Sequence, residues 1–183
     1  LGYTENQGSP QLREAIASSY QGIKTEEVVE LGTPIEGIYL AAQAVLQPGD
    51  EVVVLSPAYD ALINLFEHIV GVENVHKWCF HPSEYKWELD FNELEQLITP
   101  KTRMLVVNFP HNPTGYLPSQ QQLNFLAETA DKHNLVLFCD EMYFNLIHSN
   151  TVPVRSAVEL SHQAVILSGL SKTYGLPGLR TGW

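Results

Sequence analysis

The 183-residue chain reads as an α/β protein, a three-layer αβα sandwich around a mostly parallel central sheet. Three observations predict this. Short apolar, β-branched runs alternate with helical stretches along the whole length. Those runs are near-continuously apolar rather than alternating, the pattern of strands covered on both faces. Polar residues with chemical potential then stand at or just past the ends of the runs, where an open parallel sheet places its ligands.

The elements follow in order. Leu12, Ile16 and Tyr20 recur every four residues and predict a first helix from near Ser9. Val28-Val29-Glu30-Leu31 reads as a short strand. Residues 34–46 read as a helix with Pro34 pre-set for its first turn. A strand over 51–55 precedes a helix over 61–70, and a strand over 75–80 precedes a helix over 90–97 opened by an Asp90 cap. Residues 104–108 form a strand. Residues 119–133 form an amphipathic helix with Leu123, Phe125, Leu126 and Ala130 on its apolar side. Strands over 135–140 and 164–168 complete the pattern. No repeat, low-complexity tract or internal linker interrupts it, so one domain over residues 1–183 is expected.

Composition narrows the function classes. A hydrophobic share of 44% is that of a folded globular chain. The net charge of −11, with no basic cluster, argues against a nucleic-acid partner. Cys79 and Cys139 both sit in apolar runs and read as buried free thiols, which favours a reducing, cytoplasmic compartment. No apolar stretch approaches the roughly 18 residues of a membrane span, and no signal-peptide pattern is present. Asn112-Pro113-Thr114 is not a glycosylation site, because proline holds the middle position.

The chemistry centres on Lys172, in Ser168-Gly169-Leu170-Ser171-Lys172-Thr173-Tyr174-Gly175, with Arg180 eight residues later. Upstream stand Asn112-Pro113-Thr114-Gly115 and, 28 residues beyond Asn112, Asp140-Glu141-Met142-Tyr143. An amine nucleophile, a carboxylate, an amide, a phenol and a guanidinium are together the parts needed to hold and tune pyridoxal 5′-phosphate. Gly32-Thr33-Pro34-Ile35-Glu36-Gly37 precedes a helix whose first-turn amides make an anion site.

In their order and spacing these motifs resemble the aspartate aminotransferase family, the large-domain core of fold-type I enzymes that use pyridoxal phosphate. The resemblance runs from Tyr3 to Trp183. It implies that Lys172 carries the cofactor as a Schiff base and, once freed, moves the substrate α-proton. It implies that Asp140 keeps the pyridine nitrogen protonated and that Asn112 and Tyr143 address the ring's phenolate oxygen. Tyr59, in Ser56-Pro57-Ala58-Tyr59, would stack on the ring face. Thr33, the backbone N–H groups of Ile35 and Glu36, Ser171 and Arg180 would hold the phosphate, with the Glu36 carboxylate pointing away. Tyr3, with Gly8, would reach the phosphate of a neighbouring subunit, which implies a homodimer with shared active sites.

Two departures from the family pattern stand out. Pro34 has no N–H, so one common phosphate donor is missing. Gly169 stands where many relatives carry serine, and the serine is displaced to Ser168. The chain starts at Leu1 and stops at Trp183, short of the family's length. It therefore resembles an excised large domain, without the N-terminal arm or the C-terminal small domain that bears the arginine for the substrate carboxylate.

The function implied is transfer of an amino group between an α-amino acid and a 2-oxo acid. A lyase, cyclase or β/γ-replacement enzyme would use the same core residues, because distant groups choose which bond breaks. The Asp-Glu-Met-Tyr and Gly-Leu-Pro-Gly-Leu-Arg runs also resemble amino-acid cyclising members. A cofactor-binding fragment without turnover is a further reading. A metal site from His111, Asp140, Glu141 and His148 has no supporting spacing.

Overall fold

The computed structural model describes Gly2, residues 5–146 and residues 148–183. Its helices are α1 (Pro10–Ala17), α2 (Pro34–Val45), α3 (Ala61–Val70), α4 (Phe91–Leu97) and α5 (Gln120–His133). Its strands are β1 (Glu51–Ser56), β2 (Val75–Cys79), β3 (His81–Pro82), β4 (Trp87–Glu88), β5 (Thr102–Asn108), β6 (Val136–Asp140) and β7 (Ala164–Leu167). The main sheet has the order β2-β1-β5-β6-β7 with every adjacent pair parallel, and β3 and β4 form a separate antiparallel hairpin.

Side chains alternate along each strand, so a continuous apolar run feeds two cores at once. On one face Val53, Leu55, Trp78, Leu105, Val107 and Leu137 pack with Leu94 of α4 and Leu123, Leu126 and Ala130 of α5. On the other, Val52, Val54, Met104, Val106 and Phe138 pack with Ile38 and Ala42 of α2 and Leu62 and Phe66 of α3. A smaller cluster joins Ile16 and Ala17 of α1 to Val28 and Trp183. Helices on both faces of a parallel sheet are the three-layer arrangement expected.

The helix ends carry their own signals. Ser9 caps α1 ahead of Pro10, and Thr33 caps α2 ahead of Pro34. Asp90 accepts from the Asn92 N–H at 2.8 Å to open α4. Ser119 and Gln122 form a reciprocal capping box on α5, which ends on Asn134 in the left-handed region at φ 54°. No helix among the described residues is long and apolar enough to cross a membrane.

Two expectations need correction. Residues 28–31 are not a strand: only Leu31 bridges, to Gly182, through paired bonds of 2.8 and 2.9 Å. Gly182 also bridges Gly169, so residues 181–183 lie antiparallel between the two segments and leave residues 28–30 no ladder there. Cys79 is exposed, since it ends β2 at the rim of the sheet, whereas Cys139 is buried and both thiols are free. The β3–β4 hairpin was not anticipated.

Phe66 is fully buried and meets Phe138 edge-on at 6.5 Å. Truncating it to alanine removes those contacts and leaves a cavity between α3 and the sheet. Phe66→Ala is expected to cost about 3–5 kcal/mol. Urea unfolding should show a lower midpoint with an unchanged slope; a loss under about 1 kcal/mol would contradict this packing.

Candidate active site

Because β1, β5, β6 and β7 run in one direction, their carboxyl ends gather at one rim. Ser56 leads into Pro57–Tyr59, and Asn108 into the loop of Asn112. Asp140 leads into Tyr143, and Leu167 into Lys172. In register, Asn108 lies opposite Asp140, and Asp140 opposite Leu167. A cavity of about 430 Å³ opens there, lined by Thr33, Ile35, Tyr59, Asn112, Asp140, Tyr143, Ser171, Lys172 and Arg180, among others.

Two expected residues are not in that set. The Glu36 carboxylate does turn away, accepting from the Gly32 N–H at 3.0 Å, but its own N–H is also taken, by the Thr33 hydroxyl and carbonyl at 3.3 and 3.1 Å. Capping α2 uses the donor that was assigned to the anion. Tyr3 lies outside the described residues. Ser168 is buried away from the cavity, its backbone paired with Trp183.

Asp140 is 6% exposed. Its carboxylate accepts the Met142 N–H at 3.0 Å and, among the described residues, forms no ion pair. Burial pushes its pKa up to about 6, with the Met142 N–H holding it partly down. A buried carboxylate in this state is poised for a positive partner.

Asn108 was missed by the sequence reading. Its amide nitrogen donates to the Asp140 carbonyl at 2.8 Å, and its amide oxygen accepts the Asn112 N–H at 2.8 Å. One side chain thereby fixes both the carboxylate's strand end and the asparagine loop. The signal was a polar residue closing an apolar strand, since a buried amide must find partners.

His111 ties a third loop to this pair. Its Nε2 is 2.8 Å from the Pro57 carbonyl, which can only accept, so Nε2 carries the proton. Nδ1 then accepts the Thr114 hydroxyl at 2.7 Å. Burial lowers its pKa, against the raising effect of the Pro57 bond, and favours this neutral form. The loop of Tyr59, whose ring is 44% exposed, is thus held against the loop of Asn112.

Lys172 faces the same space. Its Nζ lies 6.0 Å from the centroid of the Tyr143 ring, and the neighbouring Thr173 hydroxyl donates to the Met142 carbonyl at 3.2 Å. At the opposite end, Arg180 adopts the left-handed region at φ 51° and donates one N–H to the Pro177 carbonyl at 2.9 Å. A non-glycine residue there costs about 1 kcal/mol or more, and such strain clusters at ligand sites. Arg180 shares that end with Ser171 and the first turn of α2.

The departures at Pro34 and Gly169 meet in space. A Cβ on Gly169 would lie 2.9 Å from the Thr181 carbonyl oxygen and 3.2 Å from Pro34 Cγ. The proline ring and the segment of residues 181–183 together leave no room for the serine of the family pattern. As for a metal, the two His111 nitrogens are engaged as above and His148 is exposed. Among the described residues no group of three or more His, Cys, Asp or Glu side chains is placed to hold an ion.

Asp140 sets a pH dependence. Its folded-state pKa lies above its ordinary value of 3.8, so between about pH 4 and 6 the folded chain binds more protons than the unfolded one. Stability of the cofactor-free chain should therefore fall as pH rises through that window, by up to about 3 kcal/mol. Asp140→Asn should flatten this part of the profile in urea unfolding. An unchanged slope in the variant would contradict the assigned environment.

The sequence model of the family described as Aminotransferase class I and II matches residues 1–183. The chain is 31% identical to an aspartate aminotransferase of Sulfurisphaera tokodaii, over 100% of this chain and 47% of that protein. It is 35% identical to the glutamate-pyruvate aminotransferase AlaA of Escherichia coli strain K12, over 100% of this chain and 46% of that protein. The solved structure of a PLP-dependent aminotransferase from Streptococcus suis superimposes with a TM-score of 0.90 at 31% identity, covering 100% of this chain and 47% of the other. That of N-succinyldiaminopimelate aminotransferase from Mycobacterium tuberculosis gives 0.89 at 29% identity, covering 100% and 49%. The chain spans about half the length of the curated relatives it matches. On its sequence and its fold together, this chain belongs to the class I and II aminotransferase family.

Proposed function

We propose that residues 1–183 are the cofactor-binding large domain of an aminotransferase that moves an amino group between an α-amino acid and a 2-oxo acid, with pyridoxal 5′-phosphate at Lys172. The observation that carries this reading is the single cavity shared by Lys172, Asp140, Asn112, Tyr143 and Arg180. The residues fit the cofactor. Asp140 is a buried carboxylate without a cation, and a protonated pyridine nitrogen would supply one. Tyr59 offers a flat ring at the wall. Arg180, Ser171, the Thr33 hydroxyl and the Ile35 N–H gather where a phosphate would sit.

When bound, the cofactor supplies the electron sink for the substrate's α-carbon. The chain's residues do the rest. Lys172 is the amine that would hold the cofactor's aldehyde carbon, and its Nζ, when free, would be the base placed to move the substrate α-proton. Asp140 would keep the ring nitrogen protonated. Asn112 and Tyr143 would donate toward the ring's phenolate oxygen, and Tyr59 would offer its ring for stacking. The Arg180 fork would hold the phosphate in the bidentate manner that a lysine cannot reproduce.

The whole enzyme in this reading is a cytoplasmic homodimer acting on amino-acid and 2-oxo-acid substrates.

Visible absorbance with added pyridoxal 5′-phosphate, before and after borohydride, tests the cofactor site. A chromophore should be fixed covalently on the wild-type chain and not on Lys172→Ala. A folded chain that fixes none would overturn the reading. Amino donors should convert the chromophore to the pyridoxamine form; release of ammonia instead would indicate a lyase. Arg180→Ala should weaken cofactor binding by about tenfold to a hundredfold, read from an absorbance titration.

A further inference from the structure

We infer that Glu141 is a positioning residue for the cofactor site, holding in place the loop that presents Tyr143. The inference rests on the proposed cofactor reading and names a residue which that reading leaves without a role.

Glu141 is 2% exposed and does not line the cavity. Its carboxylate accepts the Ser156 hydroxyl at 2.7 Å on one oxygen and the Ala157 N–H at 2.8 Å on the other. Its backbone N–H donates to the Leu167 carbonyl at 2.8 Å, which prolongs the β6–β7 pairing by one residue. One side chain thus joins the two ends of residues 141–156.

The segment it closes faces the site. Tyr143, Leu146, His148 and Thr151 line a second cavity of about 330 Å³, which shares Asn112 and Tyr143 with the first. Inside the segment, the Phe144 N–H bonds the Glu141 carbonyl and the Leu146 N–H bonds the Tyr143 carbonyl, each at 2.9 Å. Tyr143 is therefore carried on tight turns whose base is the Glu141 residue itself. Other bonds out of the segment run from the Thr173 hydroxyl to the Met142 carbonyl, from the Met142 N–H to the adjacent Asp140 carboxylate, and from Arg155 to Gln120 and Glu159. None of these joins the two ends of the segment.

A buried carboxylate with neutral donors and no cation is expensive. The groups facing it are Asp140, Glu159, Tyr20 and Cys139, and none is positive. Burial pushes Glu141 up to about 7, with Ala157 and Ser156 holding it partly down. An apolar side chain would fill this space at less cost but could not anchor Ser156 and Ala157. The geometry of a two-oxygen acceptor between a hydroxyl and an amide is what the loop requires.

The test is a pH titration of the visible spectrum of the cofactor-loaded chain. Losing the phenol in Tyr143→Phe should raise the chromophore's apparent pKa, because a donor to the phenolate oxygen is gone. Glu141→Ala should raise it by at least about half as much, since Tyr143 is no longer held. Glu141→Gln should stay near wild type, because its amide oxygen can take the Ala157 N–H and its NH2 can donate to Ser156. If Glu141→Ala does not fold, Ser156→Ala, which removes one of the two donors, should shift the titration in the same direction. A variant that loses stability yet titrates as wild type, while Tyr143→Phe shifts, would reduce Glu141 to a structural residue and overturn the inference. Absence of any chromophore on the wild-type chain would overturn the cofactor reading instead.

Discussion

The candidate site turns on one group, the Asp140 carboxylate, buried at the end of a central strand with, among the described residues, the Met142 N–H as its hydrogen-bond donor. Parallel strands put it there. A parallel sheet needs helices on both faces, the helices bury its strand ends, and a carboxylate at such an end loses its water. Its raised pKa is the direct result. A cationic ring nitrogen would lower it again, a demand that the proposed cofactor would meet.

Around that group, four loops are tied to one another by hydrogen bonds. Asn108 grips the Asp140 carbonyl and the Asn112 loop at once. His111, neutral and buried, bridges from the Asn112 loop to the Tyr59 loop. Thr173 ties the Lys172 loop to Met142. These contacts cross between neighbouring strands, so the reactive groups inherit the rigidity of the sheet. The anion end is built differently, from the first turn of α2 and a strained Arg180 packed beside the close junction of Pro34, Gly169 and Gly182.

Much of this was legible in the sequence because it is local. The Asp90 cap and Pro34 marked two helix starts, and the continuous apolar runs marked covered strands. Asp140, Asn112 and Lys172 stood out through motifs whose order and spacing resemble the family's, and they lie at or just past strand ends. The rest was hidden for physical reasons. Asn108 and Glu141 matter through partners far along the chain, the Asp140 carbonyl in one case and Ser156 in the other, and no short-range pattern reports those bonds. At Glu36 an anion-binding amide and a helix cap compete for the same N–H, which in this structure bonds Thr33. Residues 28–31 look like a strand in composition, but pairing depends on a neighbour at the far end of the chain. The departures at Pro34 and Gly169 read as two separate oddities in sequence and form one packed junction in space.

The most direct measurement of the central claim is the nitrogen-15 resonance of ring-labelled pyridoxal 5′-phosphate bound to this chain. The account predicts a protonated ring nitrogen at neutral pH in the wild type and an unprotonated one in Asp140→Asn. A ring nitrogen that is unprotonated in the wild type, or indifferent to the substitution, would contradict it.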